Sequence, residues 1–176
     1  MVIVVDAGHG GADPGAVYKG HEEKLYALEY AQVLAALLKD NGHTVVETRP
    51  DDVYVRPTYR ASAANNAHAD LFISLHCNSC IEPETAQGVE VLYHASSFRG
   101  RMFAKAILDR WYHPVKRGIK PRSDLTVLKQ TKMTAVLVEM AFINHSEDIA
   151  RLEDDGYRIS NCGAIADAVE VFDGLV

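Results

Sequence analysis

The stretch VIVVDAGH, residues 2–9, is an apolar run of strand type that ends in a histidine. Two later runs repeat this form: DLFISLH ends in His76, and AVLVE ends in Glu139. Longer segments between such runs have apolar residues at helical spacing. Short strands that alternate with helices are typical of an α/β domain with a largely parallel sheet.

The predicted elements leave room for one domain. Strands are expected over residues 2–5, 44–48, 71–75, 89–93, 126–128 and 135–139. Helices are expected over residues 25–38, 56–67, 97–112 and 157–172, with Asn41-Gly42 closing the first. Because the chain has no internal repeat and no flexible linker, we predict a single three-layer α/β domain over residues 1–176. Its mostly parallel sheet of about six strands is flanked by helices.

Composition and charge exclude several classes of function. The 176 residues are 48% apolar and 24% charged, which suits one domain with a sizeable core. The formal net charge is -6 without a run of lysine and arginine, so nucleic acid is not an expected partner. Asp6 interrupts the apolar start, and no apolar stretch approaches the roughly 20 residues of a membrane span, so neither a signal peptide nor a span is expected.

The chemistry is expected where the three apolar runs end. Since the carboxyl ends of parallel strands lie along one edge of a sheet, His9, His76 and Glu139 are predicted to share one pocket. Two histidines and one carboxylate are a standard ligand set for catalytic zinc, which takes three protein ligands and leaves the fourth position to water. The pattern therefore favours a metal-dependent hydrolase. His9 and His76 are two of its candidate ligands, and the third ligand has still to be identified.

The third ligand is expected from the segment that opens the long first helix. Glu22 and Glu23 both lie where a carboxylate can turn back toward the strand edge, and position alone does not choose between them. His21 is near enough to be a rival. Asp6 and Asn78, each two positions from one of the strand-end histidines, are candidates to orient an imidazole by accepting from its second nitrogen.

Each of these residues also has an ordinary structural interpretation. A histidine at a strand end is often a hydrogen-bonded loop residue, and Glu22 and Glu23 could be first-turn charges that the helix dipole favours. Glu139 is harder to explain in this way, because it lies within an apolar run and a buried carboxylate without a function is costly. The glycine motifs of nucleotide-binding sites and of serine hydrolases are absent from the sequence.

Several motifs occur in a specific order along nearly the whole chain. They are VVDAGHGGADPGA (residues 4–16), Glu23-Lys24, TRPDD (48–52), Arg60 with the following Ala-Asn, LFISLHCNS (71–79), GVEVLYH (88–94), RGIK (117–120) and AVLVEMAFINHSED (135–148). With these motifs in this order and spacing, the chain resembles the zinc-dependent N-acetylmuramoyl-L-alanine amidases, the family-3 peptidoglycan amidases.

The resemblance implies a phosphorylase/hydrolase-like fold and one zinc ion (Zn2+) per chain. It also implies hydrolysis of the amide bond between N-acetylmuramic acid and L-alanine of the peptidoglycan stem peptide. Carried over by position, His9, Glu23 and His76 become the zinc ligands, and Glu139 becomes the general base and acid that acts on the zinc-bound water. Glu23 is chosen over Glu22 by the family pattern, in which the ligand directly precedes a lysine.

The implied partner is peptidoglycan, as muropeptide, and the implied place of action is the cell wall. Arg117 and Lys120 are candidates for contacts with the acidic stem peptide. The sequence does not determine the oligomeric state, and a monomer is the simplest expectation. Without a signal peptide in the chain, we expect either a phage-type lysin or a catalytic domain cut from a larger secreted protein.

Three other functions share part of the pattern. A peptide hydrolase similar to the zinc carboxypeptidases would use the same ligand set, and only its products would differ. A wall-binding module without activity would not need the intact set of His9, Glu23, His76 and Glu139. A purely structural α/β domain predicts that no metal is bound.

Overall fold

The computed structural model describes residues 1–173, so the last three residues of the predicted domain lie outside the described residues. The strands are β1 Val2–Ala7, β2 Val17–Tyr18, β3 His21–Glu22, β4 Thr44–Glu47, β5 Leu71–Asn78, β6 Val89–His94, β7 Lys116–Arg122 and β8 Thr134–Phe142. The helices are α1 Glu23–Asp40, α2 Pro57–Asn66, α3 Phe98–Arg110, α4 Thr126–Lys129, α5 Ser146–Glu153 and α6 Asp155–Asp173.

Six of these strands form one sheet in the order β4-β1-β5-β8-β6-β7. The first four strands in this order are mutually parallel. β6 runs antiparallel to β8 and parallel to β7. β2 and β3 form a separate antiparallel ribbon. The predicted, mostly parallel sheet of about six strands is confirmed.

Helices cover both faces of this sheet and create two cores. One core contains Val5 and Val138 with residues of α1, α3 and α6, and the other contains Val4 and Leu137 with residues of α2 and α4. Because successive residues of a strand point to opposite faces, each buried strand contributes to both cores. The three-layer prediction is therefore confirmed. Within residues 1–173, no helix combines the length and the apolar character that crossing a bilayer requires.

Two segments differ from the elements predicted for them. Residues 126–128 belong to helix α4 and not to a strand, and the buried side chains of Val127 and Leu128 pack in the core shared with α2. An apolar run of three residues does not distinguish a strand from a buried helical turn. β7 lies where no strand was predicted, because its exposed lysines and arginines hide the strand pattern. Such residues are typical of a strand at the edge of a sheet.

The buried carboxylate of Asp148, in the first turn of α5, joins three parts of the sheet region. Its Oδ2 accepts from the backbone N–H groups of Gly88 and Phe142, at 2.8 Å each, and its Oδ1 accepts from His113 Nε2 at 2.9 Å. His113 Nδ1 accepts from the Val115 N–H, which leaves the ring proton on Nε2. Burial raises the pKa of Asp148, but these hydrogen bonds outweigh it and hold the pKa below its usual value.

We expect Asp148→Ala to lower the free energy of unfolding by about 3 to 5 kcal/mol, because it leaves two buried amides and an imidazole without their acceptor. Urea unfolding at neutral pH measures this change. Since the pKa is lower in the folded state, the contribution is present above the unfolded pKa and is lost as the pH falls through the folded pKa.

The matched control for this prediction is Glu147→Ala. The Glu147 side chain is 64% exposed, and its carboxylate lies 3.3 Å from Arg151. Exposed pairs of this kind contribute about 0 to 1 kcal/mol. If Asp148→Ala costs no more than Glu147→Ala, the buried network does not hold these elements together.

Candidate metal centre

The ends of β1, β5 and β8 lie side by side at one edge of the sheet. Ala7 pairs with Leu75 across β1 and β5, so His9 and His76 reach this edge at similar heights. His76 in turn pairs with Glu139 across β5 and β8. The carboxyl edge of parallel strands is where open α/β sheets bind ligands. The three residues at the predicted strand ends therefore meet there.

Glu23 reaches the same edge from the first turn of α1. Its Oε1 lies 3.1 Å from His9 Nε2 and 2.8 Å from His76 Nδ1. Its Oε2 accepts from the backbone N–H of Ala16 at 2.9 Å. One ligand atom from each of Glu23, His9 and His76 lies within 4.8 Å of the others. This group of two nitrogen donors and one oxygen donor could hold a metal ion, and it suits zinc.

The rival side chains of this segment point elsewhere. Glu22 Oε2 lies 3.3 Å from Lys24 Nζ, and His21 Nδ1 lies 2.6 Å from the Tyr26 hydroxyl. Within residues 1–173, His9, Glu23 and His76 form the one group of three or more side chains that could hold a metal ion. The structure therefore brings one of the two adjacent glutamates to the histidines.

Two glycines allow this close approach. A Cβ at Gly8 would lie 2.4 Å from the His76 ring, and a Cβ at Gly15 would lie 2.6 Å from Glu23 Oε2. Between them, His9 has a φ of 58°, in the left-handed region that residues with a Cβ rarely adopt. Such a conformation persists only where the surroundings hold it in place.

Two buried arginines hold the loop that carries His9. Arg60 donates from Nη2 to the His9 carbonyl at 2.5 Å, from Nη1 to the Ala7 carbonyl, and from Nη1 to Asp6 Oδ1 at 2.8 Å. Arg49 donates to the carbonyls of Ala7, Gly8 and Lys24 at 2.7–2.9 Å. Arginine suits this role because its planar group offers five donors. The strand and helix pattern gave no sign of either arginine's role, although both lie within the motifs of the family resemblance.

The predicted orienting contacts of Asp6 and Asn78 are wrong. Asp6 accepts from the hydroxyls of Thr48 and Ser74, and from Arg60, but not from an imidazole. Asn78 Oδ1 accepts from the backbone N–H of Ser79. Both residues lie at the strand edge as expected. The Asp6 carboxylate holds two hydroxyl groups and Arg60 in place, and the Asn78 side chain holds the next backbone amide.

The carboxylate that contacts the second nitrogen of His9 belongs to Asp13. Its Oδ2 lies 2.9 Å from His9 Nδ1, and its Oδ1 accepts from the backbone N–H of Gly15. A short bridge between Gly10 and Asp13 turns the loop back and brings this carboxylate to the ring. The signal in the sequence was the i, i+4 spacing of His9 and Asp13 in a glycine-rich loop.

The charges of the cluster are those of a cation site. Burial lowers the pKa of His9, but the hydrogen bond and negative charge of Glu23, followed by those of Asp13, raise it to about 9. Burial raises the pKa of Glu23, but its contacts with His76 and His9 outweigh burial and hold it well below its usual range. The carboxylates thus stabilise the protonated, positively charged form of the imidazoles. A metal cation supplies that charge and displaces the protons.

Glu139 stands beside this cluster with a free oxygen. Its Oε2 is buried and has no hydrogen-bond partner among the described residues. The pKa of Glu139 is raised to about 7, chiefly by burial. The charge of His76 lowers this pKa, and the negative charges of Glu23 and Glu90 raise it further. A carboxyl group of this kind can accept a proton and return it near neutral pH.

The two predicted substrate contacts, Arg117 and Lys120, lie on β7, the edge strand that pairs with β6. Arg117 Nε donates to Glu90 Oε1 at 2.6 Å, and Glu90 pairs with Glu139 across β6 and β8. Lys120 is exposed and pairs with Leu92 of β6. Because Leu92 packs in the same core as Leu137, Lys120 lies on the face of the sheet that carries Glu139.

Comparisons with known proteins agree with this description. Residues 3–171 match the family model described as N-acetylmuramoyl-L-alanine amidase. The chain is 36% identical over 166 residues to the endolysin of Bacillus phage SPP1, which covers 89% of this chain and 60% of the endolysin. The chain therefore spans about three fifths of that relative.

Solved structures share the fold over almost the whole chain. The N-acetylmuramoyl-L-alanine amidase from Clostridium difficile 630 has a TM-score of 0.93 at 28% identity, covering 98% of this chain and 96% of that one. The catalytic domain of CwlV, an N-acetylmuramoyl-L-alanine amidase from Bacillus (Paenibacillus) polymyxa var. colistinus, has a TM-score of 0.90 at 30% identity, covering 99% of both chains. The match includes the sheet, both helical layers and the edge at which the candidate ligands meet.

Proposed function

The chain belongs to the N-acetylmuramoyl-L-alanine amidase family, and from this premise we propose that it hydrolyses the amide bond between N-acetylmuramic acid and L-alanine of the peptidoglycan stem peptide. The proposal depends on one observation above all. Ligand atoms of His9, Glu23 and His76 lie within 4.8 Å of one another, beside the buried and unpartnered Oε2 of Glu139. The substrate places this activity at the cell wall.

We assign His9, Glu23 and His76 as the ligands of one zinc ion. Two imidazoles and a carboxylate are a common set for catalytic zinc and leave one position open. When bound, zinc acts as a Lewis acid that polarises the scissile carbonyl and lowers the pKa of water to about 7. Asp13 orients the His9 ring through Nδ1, while Arg60 and Arg49 hold the loop in the conformation that presents it.

Glu139 moves the proton in the proposed reaction. Its Oε2 accepts a proton from the attacking water as the oxygen bonds to the lactyl carbonyl carbon. The same carboxyl then gives that proton to the alanine nitrogen as the carbon–nitrogen bond breaks. The products are the free lactyl carboxylate and a stem peptide with a new amino terminus. A pKa of about 7 suits both halves of this transfer, because neither protonation state dominates near neutral pH.

We place the acidic stem peptide on the β7 side of the site. Arg117 and Lys120 lie there, on the face that carries Glu139. Lys120 is exposed, and Arg117 is neutralised by Glu90 at 2.6 Å, so Lys120 offers the freer charge. A lysine can bind a carboxylate of the stem as a point charge without a fixed geometry.

A peptide hydrolase with the same ligand set is the second candidate, and the products separate the two. Digestion of a defined muropeptide by the amidase gives N-acetylmuramic acid with a free carboxylate and a peptide that begins with L-alanine. A peptidase instead shortens the stem and leaves alanine bound to the sugar. Mass spectrometry of the digest distinguishes these outcomes in one experiment.

We expect about one zinc per chain, and we expect removal of zinc to abolish the release of stem peptide. Elemental analysis measures the metal before and after treatment with a chelator, and muropeptide digestion measures the activity. Zinc should restore activity, whereas magnesium should not, because nitrogen donors suit zinc and the harder magnesium prefers oxygen. Full turnover by protein shown to be free of metal would contradict the proposal.

A further inference from the structure

A cavity of about 290 Å³ adjoins the proposed zinc ligands on the face of the sheet that α2 and α4 cover. His9 and His76 form part of its wall. Its apolar lining comes from Tyr54, Val55, Pro57, Leu125, Val127 and Leu137. The cavity thus adjoins the proposed zinc ligands, and apolar side chains make up much of its wall. Beyond His9 and His76, the side chains that line this cavity supply no ligand of the proposed zinc and none of the proposed stem contacts.

The charged side chains of the described residues that line this cavity already have partners. These pairs are Arg60–Asp6 at 2.8 Å, His9–Asp13 at 2.9 Å, His76–Glu23 at 2.8 Å and Asp124–Arg122 at 2.6 Å. At the end of the cavity beside His9 and His76, the open position of the proposed zinc is taken by the scissile carbonyl and the attacking water. Away from that end no lining cation among residues 1–173 is free, so an anionic ligand there would lose hydration without compensation. The cavity is suited to an uncharged ligand.

The two halves of the proposed substrate differ in this property. On the sugar side, the lactyl carboxyl group is consumed in the scissile amide and the amino group is acetylated, so that half is uncharged. On the peptide side, the stem carries free carboxylates. Charge therefore assigns the sugar half to the cavity, and it assigns the peptide half to the side of β7 with Lys120.

We infer that this cavity binds the N-acetylated sugar ring next to the scissile amide, with the Tyr54 ring as the surface on which the sugar lies. The inference rests on the proposed function for the identity of the sugar. The Tyr54 side chain is 51% exposed at the rim, where an aromatic ring offers an apolar face and a polar hydroxyl together. The volume is near the low end of the roughly 300–1,000 Å³ of ligand sites, which suits one ring and not several.

The first test compares two substrates with the same stem peptide. One carries N-acetylmuramic acid, and the other carries only the lactyl group. The ratio of their kcat/KM values measures what the sugar contributes. Wild-type protein should favour the sugar-bearing substrate, and Tyr54→Ala should lower the ratio about 3- to 10-fold, the range expected for the loss of one aromatic contact. Tyr54→Phe keeps the ring and should restore most of the ratio.

The matched control is Tyr59→Ala. Tyr59 is also an exposed tyrosine, at 58%, but it lies on α2 outside the cavity lining and should leave the ratio as in wild type. An unchanged ratio in Tyr54→Ala would overturn the inference. So would a loss of equal size on both substrates, since that pattern means that Tyr54 supports the zinc site and not the sugar.

The second test needs no hydrolysis. The disaccharide of N-acetylglucosamine and N-acetylmuramic acid, without peptide and with its lactyl carboxyl group capped as an uncharged amide, should shift the backbone amide resonances of residues 54–56 and 124–127 in wild-type protein and bind more weakly to Tyr54→Ala. Protein that binds the disaccharide in this way but releases no stem peptide would contradict the proposed function alone. Protein that releases stem peptide but neither favours the sugar nor shows these shifts would overturn the inference alone.

Discussion

Glu139→Gln is expected to lower kcat by about 10²- to 10⁴-fold while the protein keeps its zinc. Glutamine has the size and the hydrogen-bonding reach of glutamate, but it cannot accept the proton of the attacking water or return it to the departing amine. The loss corresponds to about 3 to 5.5 kcal/mol of transition-state stabilisation. Because His9, Glu23 and His76 are unchanged, metal content should equal that of wild type.

The measurement is turnover of a defined muropeptide per folded, zinc-loaded molecule. Glu90→Gln is the matched control, since Glu90 lies opposite Glu139 in the register of β6 and β8 and is 13% exposed, but its carboxylate is held by Arg117. We expect its kcat to stay within about tenfold of wild type. If Glu139 were only a buried structural carboxylate, the substitution would change stability and leave turnover intact. Turnover within tenfold of wild type would therefore refute the catalytic assignment.

Glu23→Ala is expected to lose zinc, whereas Glu22→Ala should keep both zinc and most activity. The Glu23 carboxylate contacts both imidazoles at 2.8 and 3.1 Å, so its removal takes away a ligand and the group that holds the two rings together. Loss of an outer partner of a metal ligand typically costs 10- to 100-fold in affinity, and loss of a ligand should exceed about 100-fold. Competition with a zinc-sensitive dye measures this change.

Glu22→Ala is a close control, because it removes an equal side chain one position earlier. The Glu22 side chain is 38% exposed, and within residues 1–173 its carboxylate has an ion pair with the Lys24 amine alone, at 3.3 Å, which is a weak exposed pair. Thermal unfolding of both variants in the presence of chelator separates loss of metal from loss of fold. If Glu22→Ala loses zinc and Glu23→Ala retains it, the assignment of this segment is wrong.

Much of the fold and part of the candidate site could be predicted, because they follow from the spacing of apolar residues along the chain and from the order of strands and helices. The apolar runs that end in His9, His76 and Glu139 predict strands, and alternation with helices predicts that these strands are parallel. Parallel strands bring their carboxyl ends to one edge, so the three residues meet without further information. The apolar surroundings of Glu139 likewise predicted the burial that raises its pKa to about 7.

Periodicity failed where an element is short or lies at an edge. Residues 126–128 form a buried helical turn, and three apolar residues have no period that separates such a turn from a strand. β7 is exposed and rich in lysine and arginine, so its pairing with β6 is the only sign that it is a strand. Pairing depends on residues more than 20 positions away and has no local pattern.

The sequence by itself determined five of the six strands of the sheet, the edge at which the site forms and three of the residues that meet there. The residues alone left the choice between Glu22 and Glu23 open, and the family resemblance favoured Glu23. Only the tertiary structure decided that Asp13 and not Asp6 contacts an imidazole, and that Arg49 and Arg60 hold a left-handed His9. The physical reason is that strand and helix periods determine which face a side chain lies on, whereas a loop takes its path from hydrogen bonds to distant groups. The cavity beside the proposed zinc site has the same origin, since residues from the segments 54–57 and 124–127, which are far apart in the sequence, line it together.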